Sequence, residues 1–216
     1  MLWQPQILAL GGQITPFVAD LTQQDTIRGL ASAVLAKAPP RFALAGLSMG
    51  GYVAFEIMRQ APERVLKLCL VDTAARPDTA EQQERRRGLI MLSKSGKFKG
   101  ITPRLLPQLV HPSRMQDVAL TGLVMAMAER VGREAFQRQQ TAILNRPDSR
   151  PTLKAIACPT LVAGGRQDLL TPIDIIREIA EGISQANFAI IENCGHLPPL
   201  EQPEKMTALL RRWLDN

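Results

Sequence analysis

Apolar runs and amphipathic stretches alternate along most of the chain. Short, nearly continuous apolar runs begin at Phe42, Val65, Thr160 and Ala189, and each is followed by glycine or by a polar residue. This pattern predicts strands buried on both faces of a parallel sheet. Apolar residues at helical spacing separate the runs. The sequence therefore predicts an α/β fold, a mostly parallel sheet flanked by helices, with a terminal helix that starts at Pro203.

Residues 73–154 interrupt this alternation of predicted strands and helices. They show no good strand pattern but several helical ones, over residues 85–92, 118–130 and 134–144. We therefore predict a core formed by residues 1–72 and 155–216, with residues 73–154 inserted as a helical subdomain.

The first twenty residues admit two interpretations. Residues 3–10 have the pattern of a helix, and residues 14–21 that of a strand interrupted by Pro16. Alternatively, residues 6–12 are themselves a strand that ends in a glycine loop. Only Gln13 would then separate it from the next strand, whereas a parallel crossover needs about a dozen residues. The helix is the preferred interpretation.

Composition narrows the class of protein. The chain has 216 residues, of which 45% are hydrophobic and 21% charged, as is typical of a globular domain with a sizeable core. No apolar run approaches the roughly 18 residues of a membrane span. The first six residues lack the pattern of a signal peptide. We therefore expect one domain, with a possible subdomain, in the cytoplasm and without membrane contact.

The three cysteines, Cys69, Cys158 and Cys194, are an odd number and match no zinc spacing. We expect buried free thiols in a reducing compartment. Cys194 lies two residues before His196, which leaves oxidation near a site as an alternative.

Positive charge is concentrated in the middle of the chain. Residues 76–155 hold 15 Lys and Arg against 7 Asp and Glu, and the remainder holds 11 against 13. A basic excess can indicate nucleic-acid binding. No recognition motif accompanies it, however, and aromatic residues make up only 4% of the chain. A solvated helical face is preferred, followed by a preference for anionic substrates; we expect no nucleic-acid partner.

Candidate chemistry centres on residues 46–50, Gly-Leu-Ser-Met-Gly, between the run from Phe42 and a helical pattern. Gly-x-Ser-x-Gly at a strand-to-helix turn is a nucleophile elbow, in which small neighbours let strand and helix approach around a strained serine. The hydroxyl then lies at the carboxyl end of the sheet, beside a helix N-terminus that stabilises negative charge. We expect Ser48 to be the nucleophile and the Met49 amide to donate to the oxyanion.

Two later strands end near groups that could complete a catalytic triad. Asp168 follows the run from Thr160, and His196 follows the run from Ala189. A histidine can take the proton of Ser48, and an aspartate can orient the imidazole and stabilise its cation. This chemistry requires no metal and no organic cofactor.

The order serine, aspartate, histidine is that of α/β-hydrolases. The sequence resembles this superfamily over nearly its whole length, and especially the small bacterial carboxylic-ester and C–C hydrolases with a G-x-S-M-G-G elbow, here residues 46–51. The resemblance implies that residues 73–154 form a cap over the site. It also implies Asp72 as an alternative acid, because some relatives place the acid after that strand.

Family members normally begin with two antiparallel strands and a third strand, whose His-Gly or Pro-Gly loop supplies the second oxyanion amide. Residues 3–10 resemble the helix after that loop, and residues 14–21 resemble the fourth strand. The resemblance therefore implies an N-terminally truncated fold: a clipped product, a misplaced start codon or a shortened paralogue. The second oxyanion donor stays unassigned, and an exposed strand edge would favour a homodimer.

Three functions follow as expectations. The first is a serine hydrolase that cleaves a small carboxylic ester, thioester or lactone through an acyl-enzyme. The second is a hydrolase or lyase of C–C bonds in a small anionic substrate. The third is a non-catalytic, truncated homologue.

Overall fold

The computed structural model describes residues 1–95 and 100–215. The helices and strands, in chain order, are α1 (Gln4–Leu10), α2 (Ile27–Lys37), β1 (Phe42–Leu47), α3 (Met49–Gln60), β2 (Val65–Val71), α4 (Ala80–Lys94), α5 (Val118–Leu144), α6 (Arg150–Leu153), β3 (Thr160–Gly165), α7 (Ile173–Gly182), β4 (Ala186–Ile191), α8 (Pro198–Glu201) and α9 (Pro203–Asp215).

The four strands form one parallel sheet in the order β1-β2-β3-β4. Leu47, Val71, Ala163 and Ala189 lie opposite one another in adjacent strands, so the carboxyl ends of the strands meet at one edge of the sheet. Ligands and catalytic groups of open α/β sheets collect at this edge. The predicted α/β fold with a parallel sheet flanked by helices is confirmed.

Side chains of β2 alternate between two hydrophobic cores. Leu68 and Leu70 belong to the core that α2, α3 and α7 complete, whereas Cys69 and Val71 belong to the core on the opposite face, completed by α1, α9 and part of residues 106–124. Both faces are covered along β3 and along residues 68–71 of β2, which explains why these strands are nearly continuous apolar runs. In the edge strand β1, Ala43 and Ala45 are exposed.

The N-terminal segment gives a mixed result. Residues 4–10 are helical, as the preferred interpretation predicted. The strand predicted over residues 14–21 is wrong, because this segment is neither strand nor helix. The backbone of Ile14 is extended, with φ −135° and ψ 152°, but β1 is the edge of the described sheet and pairs only with β2. An extended segment without a neighbouring strand has no ladder to join.

The region between β2 and β3 contains α4, α5 and α6. The two helices predicted over residues 118–130 and 134–144 are the two halves of α5, which bends at Gly132. That glycine has φ 77° and ψ 170°, a conformation that is essentially restricted to glycine. That these helices form a cap stays a prediction. Within the described ranges, no helix combines the length and apolarity that a membrane span requires.

Candidate active site

The turn between β1 and α3 has the geometry of a nucleophile elbow. Ser48 has φ 51° and ψ −115°, a strained conformation for a residue with a side chain. A Cβ atom at Gly46 would lie 2.4 Å from the carbonyl oxygen of Gly50, and one at Gly51 would lie 2.3 Å from Oγ1 of Thr73. The two glycines therefore permit the close approach of strand and helix that sequence reasoning predicted.

Hydrogen bonds to the neighbouring strand hold the strained serine in place. The Ser48 N–H donates to the carbonyl of Val71 at 3.0 Å, and the Thr73 hydroxyl donates to the carbonyl of Ser48 at 2.8 Å. The helix α3 begins at Met49, so its first amides have no acceptor within the helix. The oxyanion role of Met49 stays a prediction that this helix start supports.

Asp168 and His196 form a buried pair, with 2.7 Å between Oδ2 and Nδ1. The same carboxyl accepts hydrogen bonds from the hydroxyl of Thr171 and, at 2.8 Å, from the N–H of Leu170. The Thr-Pro-Ile-Asp sequence that begins at Thr171 is a typical helix start. However, α7 begins at Ile173 with Pro172 at its cap position, so Thr171 is not the cap residue, and its hydroxyl donates to Asp168 instead.

These contacts determine the charge of Asp168. Burial raises the pKa of this carboxyl, but the hydrogen bonds from His196, Thr171 and Leu170, together with the charge of His196, outweigh burial and leave the pKa below its usual value. An ionised Asp168 holds the proton of His196 on Nδ1, so Nε2 is free to accept one.

Asp72, the alternative acid, lies beside this pair. It is fully buried at φ 41°; its Oδ1 accepts from the Gly165 N–H at 3.0 Å, and its Oδ2 has no hydrogen-bond partner within the described residues. Burial, and then the charge of Asp168, raise the pKa of Asp72 well above its usual value. The hydrogen bond from His196 goes to Asp168, so the geometry favours Asp168 as the acid.

Asp72, Asp168 and His196 each offer a potential metal-ligand atom, all within 4.8 Å of one another, and no other such group of three occurs in the described part of the chain. A metal would have to displace the Asp168–His196 hydrogen bond and ionise Asp72. The donor set fits proton transfer better than cation binding.

The structure brings the ends of the four strands together, but it does not complete the triad. Ser48 is partly exposed, and among the described residues no hydrogen bond joins its hydroxyl to His196. Catalytic hydrogen bonds are often long before substrate binds. The complete triad of Ser48, His196 and Asp168 therefore stays a prediction.

Sequence reasoning missed two buried polar residues at the site. Glu201 accepts hydrogen bonds from the backbone on both sides of His196, and Gln6 of α1 donates to the carbonyl of Pro199 at 3.0 Å. The available signal was a single acidic residue after the apolar stretch 197–200. A single acidic residue in this position is equally typical of an exposed glutamate, so sequence alone could not distinguish a buried Glu201 from an exposed one.

The cysteines do not form a reactive centre. Cys69 and Cys194 are completely buried, and burial raises the pKa of both thiols. Cys158 is half-buried, and burial raises its pKa as well. Low thiolate content and burial make thiols inert, so oxidation at Cys194 has no support.

Comparison with known proteins agrees with this geometry. Residues 10–209 match the model of the alpha/beta hydrolase family. A thermophilic esterase of solved structure from Thermogutta terrifontis is 31% identical and superposes with a TM-score of 0.85, covering 99% of this chain and 84% of that one. A pimeloyl-[acyl-carrier protein] methyl ester esterase from Nitrosomonas europaea is 27% identical over 192 residues, which are 85% of this chain and 75% of that protein.

The enol-lactonase from Burkholderia xenovorans LB400 shares the fold, with a TM-score of 0.83 at 22% identity over 100% of this chain and 86% of that one. The family match covers most of the sequence, including the elbow, the Asp168–His196 pair and the strands that carry them. The chain belongs to the alpha/beta hydrolase family.

Proposed function

We propose that the protein is a serine hydrolase that cleaves a small carboxylic ester, thioester or lactone through Ser48, His196 and Asp168. The observation that carries the proposal is the buried 2.7 Å hydrogen bond between Asp168 and His196, at the sheet edge where Ser48 occupies a strained elbow. Relatives named as esterases and as methyl ester esterases support the same reaction class.

The mechanism is a two-step acyl transfer. His196 Nε2 takes the proton of Ser48 as Oγ attacks the carbonyl carbon, and Asp168 stabilises the imidazolium that forms. The amide of Met49 donates to the oxyanion, a contribution of about 3 kcal/mol. The imidazolium then protonates the leaving group. Water, deprotonated by the same histidine, attacks the acyl-enzyme, and the imidazolium returns this proton to Oγ of Ser48 as the acid product leaves.

An anionic group on the substrate is a second part of the proposal. Ion pairs with six acidic residues, of which Asp78 is shared by two arginines, engage seven basic residues of region 76–155, namely Arg76, Arg86, Arg87, Arg114, Arg138, Arg146 and Arg150. Arg85, Arg104 and Arg133 are exposed and have no ion pair within the described residues, so they are left to attract an anion. The esterase from Thermogutta terrifontis was solved with malate, a small dicarboxylate, bound.

The proposal is tested by labelling the folded protein with a fluorophosphonate and measuring intact mass. We expect one adduct on the wild type and on the control Ser32→Ala, whose serine lies exposed on α2. We expect no adduct on Ser48→Ala and slow labelling of His196→Gln. Absence of an adduct on the folded wild type would overturn the proposal and favour a non-catalytic homologue.

Substrate preference is tested with paired esters. The methyl monoester of a short dicarboxylic acid ends in a carboxylate where the methyl ester of the monocarboxylic acid of equal length ends in a methyl group. We expect a higher kcat/KM for the monoester at low salt, with the difference decreasing as salt screens the arginines. Equal values at low salt would remove the anionic preference but leave the esterase proposal intact.

A further inference from the structure

Glu201, at the end of α8, carries a carboxylate buried deep in the protein, with the residue 1% exposed. Its Oε1 accepts from the N–H groups of Gly195 at 3.1 Å and Leu197 at 3.0 Å, and its Oε2 accepts from the N–H of His111 at 2.6 Å. The thiol of Cys194 lies 4.0 Å from Oε1. Every one of these neighbours is a donor, so the group is used entirely as an acceptor.

Two of the three amides flank the proposed catalytic histidine. Gly195 and Leu197 immediately precede and follow His196, so one carboxylate fixes the backbone on both sides of the imidazole. Among the described residues, no basic side chain forms an ion pair with Glu201, and its hydrogen-bond donors are three backbone N–H groups and the Cys194 thiol. Removal of one such partner from a buried charge is costly.

The third amide belongs to the inserted region, the predicted cap. Besides the contact of His111 with Glu201, the N–H of His196 donates to the carbonyl of Leu109 at 2.9 Å. A Cβ atom at Gly195 would lie 2.9 Å from the N atom of His111 and 3.0 Å from the oxygen of Leu109. The segment 109–111 therefore lies directly against the histidine loop, at a distance that only glycine permits.

The contact continues into the long helix α5. Arg114 donates to the backbone carbonyl of Glu201 at 2.6 Å and pairs with Asp117 at 2.7 Å. Asp117 caps α5, accepting from the N–H of Leu120 at 3.0 Å. Glu201 thus connects the histidine loop to the N-terminus of α5 through consecutive short contacts.

We propose that Glu201 is a positioning residue whose hydrogen bonds hold the loop of His196 against segment 109–117, an arrangement that we call the lock. The position of the imidazole then depends on how the inserted region packs against this loop. The catalytic consequence rests on the proposed hydrolase function, whereas the lock itself does not. A glutamine at this position keeps the shape of the side chain but turns an N–H₂ group towards a backbone N–H, so at least one of the three contacts is lost.

The experiment compares Glu201→Gln with the control Glu204→Gln, an exposed glutamate three residues later. Hydrogen exchange of the whole protein is followed in peptides covering residues 105–115 and 192–200. In Glu201→Gln we expect the amides of both segments to exchange about tenfold faster, as the loss of one hydrogen bond predicts. The control should exchange as the wild type does.

Turnover of p-nitrophenyl butyrate and the fluorophosphonate labelling rate report the catalytic part. We expect Glu201→Gln to lower kcat by roughly tenfold or more, because displacement of a catalytic group by about 1 Å can cost a hundredfold. KM should change little, since no substrate contact is removed. Gly195→Ala disturbs the same contact by placing a Cβ atom against segment 109–111. We expect it too to increase exchange in both segments and to lower kcat, so the proposal can be tested even if Glu201→Gln does not fold.

Faster exchange in both segments together with a lower kcat supports the proposal. Unchanged exchange in residues 105–115 overturns the lock, and unchanged kcat with loosened loops overturns the positioning role. If the wild type neither labels nor turns over ester, the proposed function fails, and exchange alone then decides the lock.

Discussion

At the scale of single residues, the two buried carboxyls Asp72 and Asp168 differ in the hydrogen bonds that they receive, and their pKa values shift in opposite directions. Asp168 receives hydrogen bonds from His196, Thr171 and Leu170, whereas Asp72 receives one, from Gly165. Both are buried, so desolvation acts on both. The pKa of Asp168 is consequently lowered and that of Asp72 raised. The raised pKa of Asp72 opposes a second negative charge beside Asp168.

The hydroxyl of Thr171 is expected to contribute to stability through the charge of Asp168. Thr171→Val keeps the shape but removes a hydrogen bond to an ionised group, which costs about 1.5–3 kcal/mol of unfolding free energy at pH 7. Because the folded pKa of Asp168 lies below its usual 3.8, the contribution is present above that value and is lost as the pH falls through the folded pKa.

Urea unfolding at pH 7 and at successively lower pH checks this expectation. The difference between Thr171→Val and wild type should shrink towards acid pH. Thr171→Ser retains the hydroxyl and serves as the control, with little loss at any pH. A penalty for Thr171→Val that stays constant with pH would contradict the link to Asp168.

The residues of the proposed site were predictable where a strand end or a local motif marks them. Ser48, Asp168 and His196 follow strands, and their positions could be read from the sequence. Thr171 and Glu201 could not. The local sequence around Thr171 is that of an ordinary helix cap, and the partners of Glu201 lie as far as 90 residues away. Their roles are set by tertiary contacts.

At the scale of elements, short-range patterns predicted the helices and paired strands well, and the one wrong strand lacked a partner. Residues 14–21 have the composition of a strand, but strand formation depends on a neighbour as much as on propensity. Residues 4–10 form backbone hydrogen bonds within their own helix, so this helix does not require a neighbouring segment to pair its backbone groups.

The bent helix α5 offers a direct test of backbone conformation, because it contains two glycines with open surroundings. A Cβ atom at Gly122 or at Gly132 would meet nothing within 4 Å. Gly122 is an ordinary helical position, so Gly122→Ala should stabilise the protein by about 1 kcal/mol. Gly132 sits at φ 77°, so Gly132→Ala should destabilise it by roughly 1–3 kcal/mol.

Urea unfolding curves of the two variants measure these changes, and each variant is the matched control of the other. Neither alanine creates a contact, so changes of opposite sign in the unfolding free energy can come only from the backbone conformation at the two positions. A stabilising Gly132→Ala would mean that the bend in α5 is not required by the fold.

At the scale of the whole molecule, the site places several buried acidic groups where two hydrophobic cores meet the sheet edge. Asp72, Asp168 and Glu201 are each no more than 4% exposed. Donors from backbone and side chains satisfy Asp168 and Glu201, but Oδ2 of Asp72 is without a partner in the described structure. Functional sites commonly retain such locally unfavourable groups at a cost to overall stability.

Asp72 should therefore make the stability of the whole protein decrease with rising pH. Its folded pKa lies above the usual 3.8, so between the two values the folded state holds a proton that the unfolded state has lost. In that window, unfolding free energy falls by about 1.4 kcal/mol per pH unit on account of this group. An asparagine at position 72 keeps the acceptor for Gly165 and replaces the unpartnered oxygen by a donor facing Asp168.

The measurement is the unfolding free energy of Asp72→Asn minus that of the wild type, from urea curves at several pH values above 4. We expect this difference to grow in favour of the variant as the pH rises, and to level off once the wild-type carboxyl ionises in the folded state. Asp25→Asn, at an exposed aspartate, is the control for removing a carboxyl group far from the site. A difference for Asp72→Asn that does not change with pH would mean that Asp72 is already ionised in the folded protein. The sheet edge would then hold two adjacent negative charges, and the single ionised acid assigned to Asp168 would be wrong.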